Sequence, residues 1–170
     1  MSIFGSSFSG LAIKPRVFVS YHHDNDQYWY NEFNRVFSGT YDVVTDRSLD
    51  RAIDSDDPEY VERRIRENHI TGTSCTIVLS GVETYKRKYV DWEIYATLFK
   101  EHGLLGIVLP GSTDGLFPYR FDDNYATSYA HWIHWTTDPG VLRAGIEEAR
   151  NRSCYTSRIN NSRQKMRRNG

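Results

Sequence analysis

The chain is poor in the signatures that identify many enzymes at sight. It has two cysteines in 170 residues, Cys75 and Cys154, and neither stands in a CxxC or Cys/His metal spacing. No zinc site and no disulfide framework is indicated, so a reducing, cytoplasmic setting is the expectation. Cys75 lies in an apolar run and reads as a buried core thiol. No apolar run approaches the roughly 20 residues that span a bilayer. The first residues lack the basic-then-apolar order of a signal peptide, and no membrane partner is expected. Net charge is −1, so no global field draws nucleic acid. There is no GxGxxG after the first apolar run, no GxxxxGK(S/T) and no GxSxG. Those absences argue against a dinucleotide-binding Rossmann enzyme, a P-loop phosphotransferase and a nucleophile-elbow hydrolase. Asp46, at the end of the second apolar run, suggests a receiver-type phosphoacceptor. A receiver needs an acidic cluster just after its first strand and a lysine near its last. Asp24 and Asp26 lie too far into their loop, and no lysine stands near residues 131–135.

What is present is an ordinary globular composition, with aromatics high at 14%. That excess fits a cleft that stacks a ring, or a well-filled core. The length suits one domain, and no internal repeat is visible. Arg16 to Tyr21, after Pro15, is a near-continuous apolar run, as in a strand buried on both faces. A helix is expected over Gln27–Phe37, capped by Asp24 or Asn25, with Trp29, Phe33, Val36 and Phe37 inside. Tyr41–Thr45 reads as the second strand. A polar loop with five aspartates follows, from Asp46 to Asp57. Pro58 suits the first turn of a helix capped by Asp57 and running to about His69. Cys75–Ser80 is the third strand. The next helix spans Lys88–Glu101, with Gly103 as its stop. Leu104–Leu109 is the fourth strand, and residues 112–130 read as a long loop without period. His131–Trp135 is the fifth strand. Asp138 and Pro139 start a last helix with Val141, Leu142, Ile146 and Ala149 on one face.

Strands alternating with helices predict an α/β domain over residues 15–150, with a five-stranded, mostly parallel, flavodoxin-like sheet. Residues 1–14 read as a flexible leader. Residues 151–170 form a basic tail with no acid in it, and disorder is the expectation there.

In such a sheet, ligands bind beyond the C-terminal strand ends, where strand order reverses. That point lies between the first and third strands. Ser20, Tyr21, His22 and His23 flank it on one side, and Ser80 with the loop leading to Glu93 on the other. The loop after the second strand brings Asp46, Arg47 and Ser48 to the same mouth. Glu93 sits at the edge of a sheet-facing stripe of Val90, Ile94 and Leu98. On spacing alone, it is more often a solvated acid near a helix start, where the dipole favours it. Tyr21 suits stacking on a base and half-buried packing about equally. Trp92 favours packing under the sheet edge over stacking, and His23 reads as an ordinary loop histidine. Lys86, Arg87 and Lys88 suit attraction of a diphosphate, but such runs are usually a solvated face.

Three blocks, in this order and spacing, resemble TIR-like domains of the bacterial type, close to the TIR-like subunit of the Thoeris anti-phage defence system. They are Val17-Phe18-Val19-Ser20-Tyr21-His22, then Thr73 to Ser80, then Tyr89-Val90-Asp91-Trp92-Glu93-Ile94 followed by Ile107. The resemblance covers roughly residues 15 to 135. It implies a TIR-like flavodoxin fold, NAD⁺ as substrate without a separate cofactor, and Glu93 as the catalytic residue. Position and resemblance together make Ser20, Tyr21, His22, Asp46, Ser48, Ser80 and Trp92 the substrate-binding candidates. The loop after the second strand departs from animal and plant relatives in lacking their Pro/Gly-rich pattern.

The implied activity is that of an NAD⁺ nucleosidase or ADP-ribosyl cyclase. Nicotinamide is already a cationic leaving group, so one carboxylate suffices to hold the ribose and stabilise its oxocarbenium-like transition state. Capture by water gives ADP-ribose. Capture by a group of the same molecule gives a cyclic product, which a dry pocket favours. The partners implied are an effector protein that reads the product, a second copy of the chain, and an activating phage component. The alternatives are a TIR-type scaffold that acts by self-association, with Glu93 structural, and a nucleotide-sensing module that binds without turnover.

Overall fold

The computed structural model describes residues 13–45 and 57–170. Five strands make one parallel sheet: β1 (Arg16–Ser20), β2 (Asp42–Val44), β3 (Cys75–Ser80), β4 (Gly103–Val108) and β5 (His131–His134). Their order is β2-β1-β3-β4-β5, the flavodoxin-like arrangement expected. The helices are α1 (His23–Phe37), α2 (Pro58–Ile65), α3 (Lys88–Phe99), α4 (Tyr119–Ala126) and α5 (Pro139–Ser153). None of the described helices is long and apolar enough to cross a membrane.

Every residue of β3 and β4 is buried, as continuous apolar runs between two helical layers require. On one face Val17, Val19, Ile77, Leu105 and Ile107 pack with Tyr30, Phe33 and Phe37 of α1 and Leu142, Ile146 and Ala149 of α5. On the other, Val78, Leu104 and Val108 meet Val90, Ile94 and Leu98 of α3 and Phe121 of α4. Phe18 packs with Val61 and Ile65 of α2 and with Trp92 and Ala96 of α3. Cys75 is a core thiol, as expected, and burial pushes its pKa up to about 12.

Several element boundaries differ from expectation, each for a local reason. Helix α1 begins at His23, not Gln27, and neither Asp24 nor Asn25 caps it; both lie inside its first turn. Tyr30, Phe33 and Phe37 are its buried aromatics, while Trp29 and Val36 are only partly buried. Asp57 does cap α2, accepting from the Glu59 amide at 3.0 Å, but beyond Ile65 the chain continues as a π-helical turn, Arg66–Ile70. Helix α3 ends at Phe99, and the left-handed residue behind it is Glu101, φ 57°. Gly103 is not its stop but the first residue of β4. A Cβ there would lie 3.1 Å from the Ala149 backbone of α5. The stretch 112–130 is not all loop, because it contains α4. That helix buries Arg120 and Asn124 beside Phe121, so its inner face lacks an apolar stripe. On α5, Gly145 is buried while Val141 is half exposed. The basic tail is not disordered either: residues 160–170 are hydrogen-bonded across α3 and α4.

Candidate functional site

Strands β1 and β3 are neighbours whose crossovers leave in opposite directions, so α1 and α3 start beside one another at the strand ends. Between them lies a pocket. Tyr21, His22, His23 and Asp24 line it from the β1–α1 junction, and Arg87, Tyr89, Val90 and Glu93 from the start of α3. The cavity is small, about 30 Å³, room for a water molecule or two.

Glu93 is a buried acid, only 2% exposed. The Ser20 hydroxyl, at the end of β1, donates to its Oε2. Val90, Ile94 and Leu98 lock the adjacent face of α3 onto the sheet, which turns Glu93 toward the β1–β3 seam. One helical turn on, Thr97 donates to the Glu93 carbonyl at 2.8 Å and shares a 2.6 Å hydrogen bond with Thr76 of β3. A buried polar line of Ser20, Glu93, Thr97 and Thr76 thus runs beneath the seam and opens into the pocket at Glu93.

His22 precedes α1 and is 5% exposed. Neither ring nitrogen has a hydrogen-bond partner among the described residues, and Asp24 Oδ2 lies 4.0 Å from Nε2. Burial, and then the Arg87 cation, hold its pKa below the ordinary imidazole value. The ring is therefore neutral at pH 7, with one N–H to donate and one lone pair to accept. Arg87 forms the opposite wall, its guanidinium 4.0 Å from Asp24.

The remaining candidates divide. Tyr21 lines the pocket, but its ring is stacked between His23, at 4.1 Å, and Tyr30, at 4.6 Å, and its hydroxyl donates to Gln27. Both ring faces are occupied, which removes the stacking role considered for it. Trp92 is not at the pocket. It is fully buried among Phe18, Val61, Ile65 and Ile70, and its indole donates to the Met166 carbonyl at 2.7 Å. Ser80 is corrected likewise: it is buried, and its hydroxyl is committed to the Leu116 carbonyl at 2.6 Å. Asp46, Arg47 and Ser48 lie outside the described residues. Of the basic run, Arg87 lines the pocket, Lys86 pairs with Glu83 at 3.1 Å, and the Lys88 ammonium lies over the Tyr89 and Trp92 rings. Sequence reasoning missed Asp24 and Tyr89 as pocket walls; the start of α1 four residues earlier than expected is what places Asp24 there.

The two walls are tied together. Asp26 of α1 is buried, and Thr84, in the β3–α3 loop, donates to its Oδ2 at 3.2 Å while accepting from the Gly81 amide at 2.9 Å. Burial raises the Asp26 pKa, and the Thr84 bond works against that rise. Gly81 is required here, because a Cβ would lie 2.4 Å from Asp26 Oδ2. Among the described residues no cluster of His, Cys, Asp and Glu is arranged to hold a metal ion.

Residues 18–114 match the family model described as Thoeris protein ThsB, TIR-like domain. No curated protein matches the chain. The matched span is more than half of the sequence and runs from β1 past β4, so it includes every residue lining the pocket. With its β2-β1-β3-β4-β5 sheet, the chain belongs to the ThsB family of TIR-like domains, the modules of Thoeris defence.

Proposed function

We propose that this domain cleaves the nicotinamide–ribose bond of NAD⁺ and closes the remaining ADP-ribosyl group into a cyclic product, a signal for an effector protein in anti-phage defence. The observation that carries the reading is the Glu93 carboxylate, buried at the β1–β3 switch point, oriented by Ser20 and facing the pocket. Its role is to hold the ribose hydroxyls and to stabilise positive charge as nicotinamide departs. Neutral His22 offers a hydrogen bond to ribose or phosphate oxygens, and Arg87 a cation for the diphosphate. No cofactor enters the chemistry. Where water is kept out, a nucleophile of the same molecule outcompetes it and the product is cyclic.

A cavity of about 30 Å³ does not admit a dinucleotide, so α1 and α3 must part first. The Asp26–Thr84 tie opposes this opening, together with the Asn25–Glu83 hydrogen bond at 3.2 Å. Self-association or a phage component would act at that step. The same small cavity favours the second reading, a scaffold that signals by self-association without turnover.

Mass spectrometry of nucleotides, from cells expressing wild type or Glu93→Gln with and without phage, separates the two. The cleavage reading expects nicotinamide and a cyclic ADP-ribose-type nucleotide from wild type alone. It fails if the Glu93→Gln variant protects cells as well as wild type does, which is what the scaffold reading expects.

A further inference from the structure

The segment beyond α5 is built into the molecule on the side of the sheet that carries α3. Asn124 of α4 exchanges two hydrogen bonds with the Asn160 backbone, each 2.8 Å. Arg120, fully buried on α4, donates to Asp91 of α3 at 2.8 Å, to Asn161 Oδ1 at 2.9 Å and to the Gln164 carbonyl at 3.2 Å. The Met166 amide donates to Asp91 Oδ2 at 2.9 Å, and its carbonyl accepts from the Trp92 indole. Lys165 reaches back to Glu59 of α2 at 2.7 Å. The segment then arrives at the first turn of α3. Asn169 Oδ1 accepts from the Lys88 amide at 2.9 Å, and the Gly170 amide donates to the Lys86 carbonyl at 2.9 Å.

A helix start leaves its first amides without intrahelical partners, and a side-chain oxygen of Asn, Asp or Ser is the usual remedy. In α3 the residue at the N-cap position is Arg87, whose side chain makes no such bond. The oxygen comes instead from Asn169, 81 residues away in sequence. The two terminal contacts fall on Lys86 and Lys88 and so bracket Arg87, which lines the pocket. Asp91 and Trp92, the two residues just before Glu93, are both hydrogen-bonded to the Met166 backbone. The sequence does not show this, because a basic stretch without acids reads as a solvated tail.

We propose that residues 160–170 are a clamp that caps and orients α3, with Asn169 a positioning residue for Arg87 and Glu93. Its effect on turnover rests on the cleavage reading; its effect on α3 does not. The test compares wild type, Asn169→Ala and Asn169→Asp in the full chain, by backbone hydrogen exchange and by nicotinamide release. Loss of one cap speeds exchange at residues 88–91 about fivefold in Asn169→Ala, with β3 and β4 unchanged. In the same variant kcat falls and KM moves less, because the groups that act on bound substrate are displaced. Asn169→Asp restores both, since a carboxylate oxygen accepts the same bond and suits a helix start. Unchanged exchange in Asn169→Ala overturns the proposal, as does faster exchange with kcat equal to wild type. If wild type itself never releases nicotinamide, the cleavage reading is what fails. Exchange then decides the clamp alone: protection lost in Ala and regained in Asp supports it, and unaltered protection defeats it.

Discussion

A buried carboxyl group left without a hydrogen-bond partner is costly, and the Ser20 hydroxyl supplies a partner to Glu93. A hydrogen bond contributes about 0.5–1.5 kcal/mol, and this one also fixes the direction of the acid. On the cleavage reading, Ser20→Ala should therefore lower the rate of nicotinamide release several-fold, up to about tenfold, by the same relation, while the sheet remains folded. Chromatographic assay of nicotinamide, alongside the thermal midpoint, checks this; a variant of wild-type rate would remove Ser20 from the site. The pairing of Ser20 with Glu93 is half legible in sequence. Strand order puts the end of β1 beside the start of α3, and the family blocks single out Glu93. Sequence position puts Trp92 and Ser80 at the same mouth, but Trp92 packs against α2 and the Ser80 hydroxyl is bonded to the Leu116 carbonyl. Each neighbours a pocket-lining element in sequence, but residue 92 lies about 100° around the helix from residue 93 and faces α2 instead. That the His22 ring finds no hydrogen-bond partner among the described residues was not legible, because it depends on what packs around it.

Among the elements, α4 was the one sequence reading did not find. Its inner face carries Arg120 and Asn124, whose partners are Asp91 on α3 and the backbone of residues 160 and 164. A helix that buries charge shows no apolar period, so only the tertiary partners explain it. The Arg120–Asp91 pair is almost wholly excluded from solvent, with side chains 0% and 3% exposed. Removing one member leaves a buried charge without its counterion, which typically costs about 3–5 kcal/mol. Asp91→Asn should lose at least about 3 kcal/mol on that basis, seen in urea unfolding as a lower midpoint with unchanged slope. A loss below about 1 kcal/mol, the level of an exposed pair, would mean that the Gln164 carbonyl and Asn161 already satisfy the guanidinium. The strands, by contrast, were legible almost to the residue. β3 and β4 are buried on both faces, and that burial writes itself as unbroken apolar runs.

At the scale of the molecule, two sets of buried and half-buried groups among the described residues shape the response to acid, and they oppose each other. His22, His102 and His131 have pKa values lowered chiefly by burial, with Arg87, Lys100 and Arg152 respectively adding to the effect. Below about pH 6.5 the unfolded chain takes up protons that these rings refuse, so their contribution falls as pH falls. Asp26, Glu62 and Asp122 are raised, again chiefly by burial. Asp122 is raised furthest, to about 6, with the charge of Asp123 adding to the rise. Between that value and the unfolded value of 3.8 the folded state binds the extra proton, so Asp122 adds stability as pH falls. The acids thus offset the histidines in the same window. Replacing Asp122 by Asn removes the largest offset while keeping the side chain's shape. At pH 7.5 the variant should be at least as stable as wild type, because the native state no longer holds an ion that burial disfavours. From there to pH 5 its thermal midpoint should fall more steeply, since the histidine loss is less opposed. Midpoints of both proteins at several pH values decide the matter. Parallel profiles would show that Asp122 titrates alike in the folded and unfolded chain, and the acid response would then have to be ascribed to the other shifted groups.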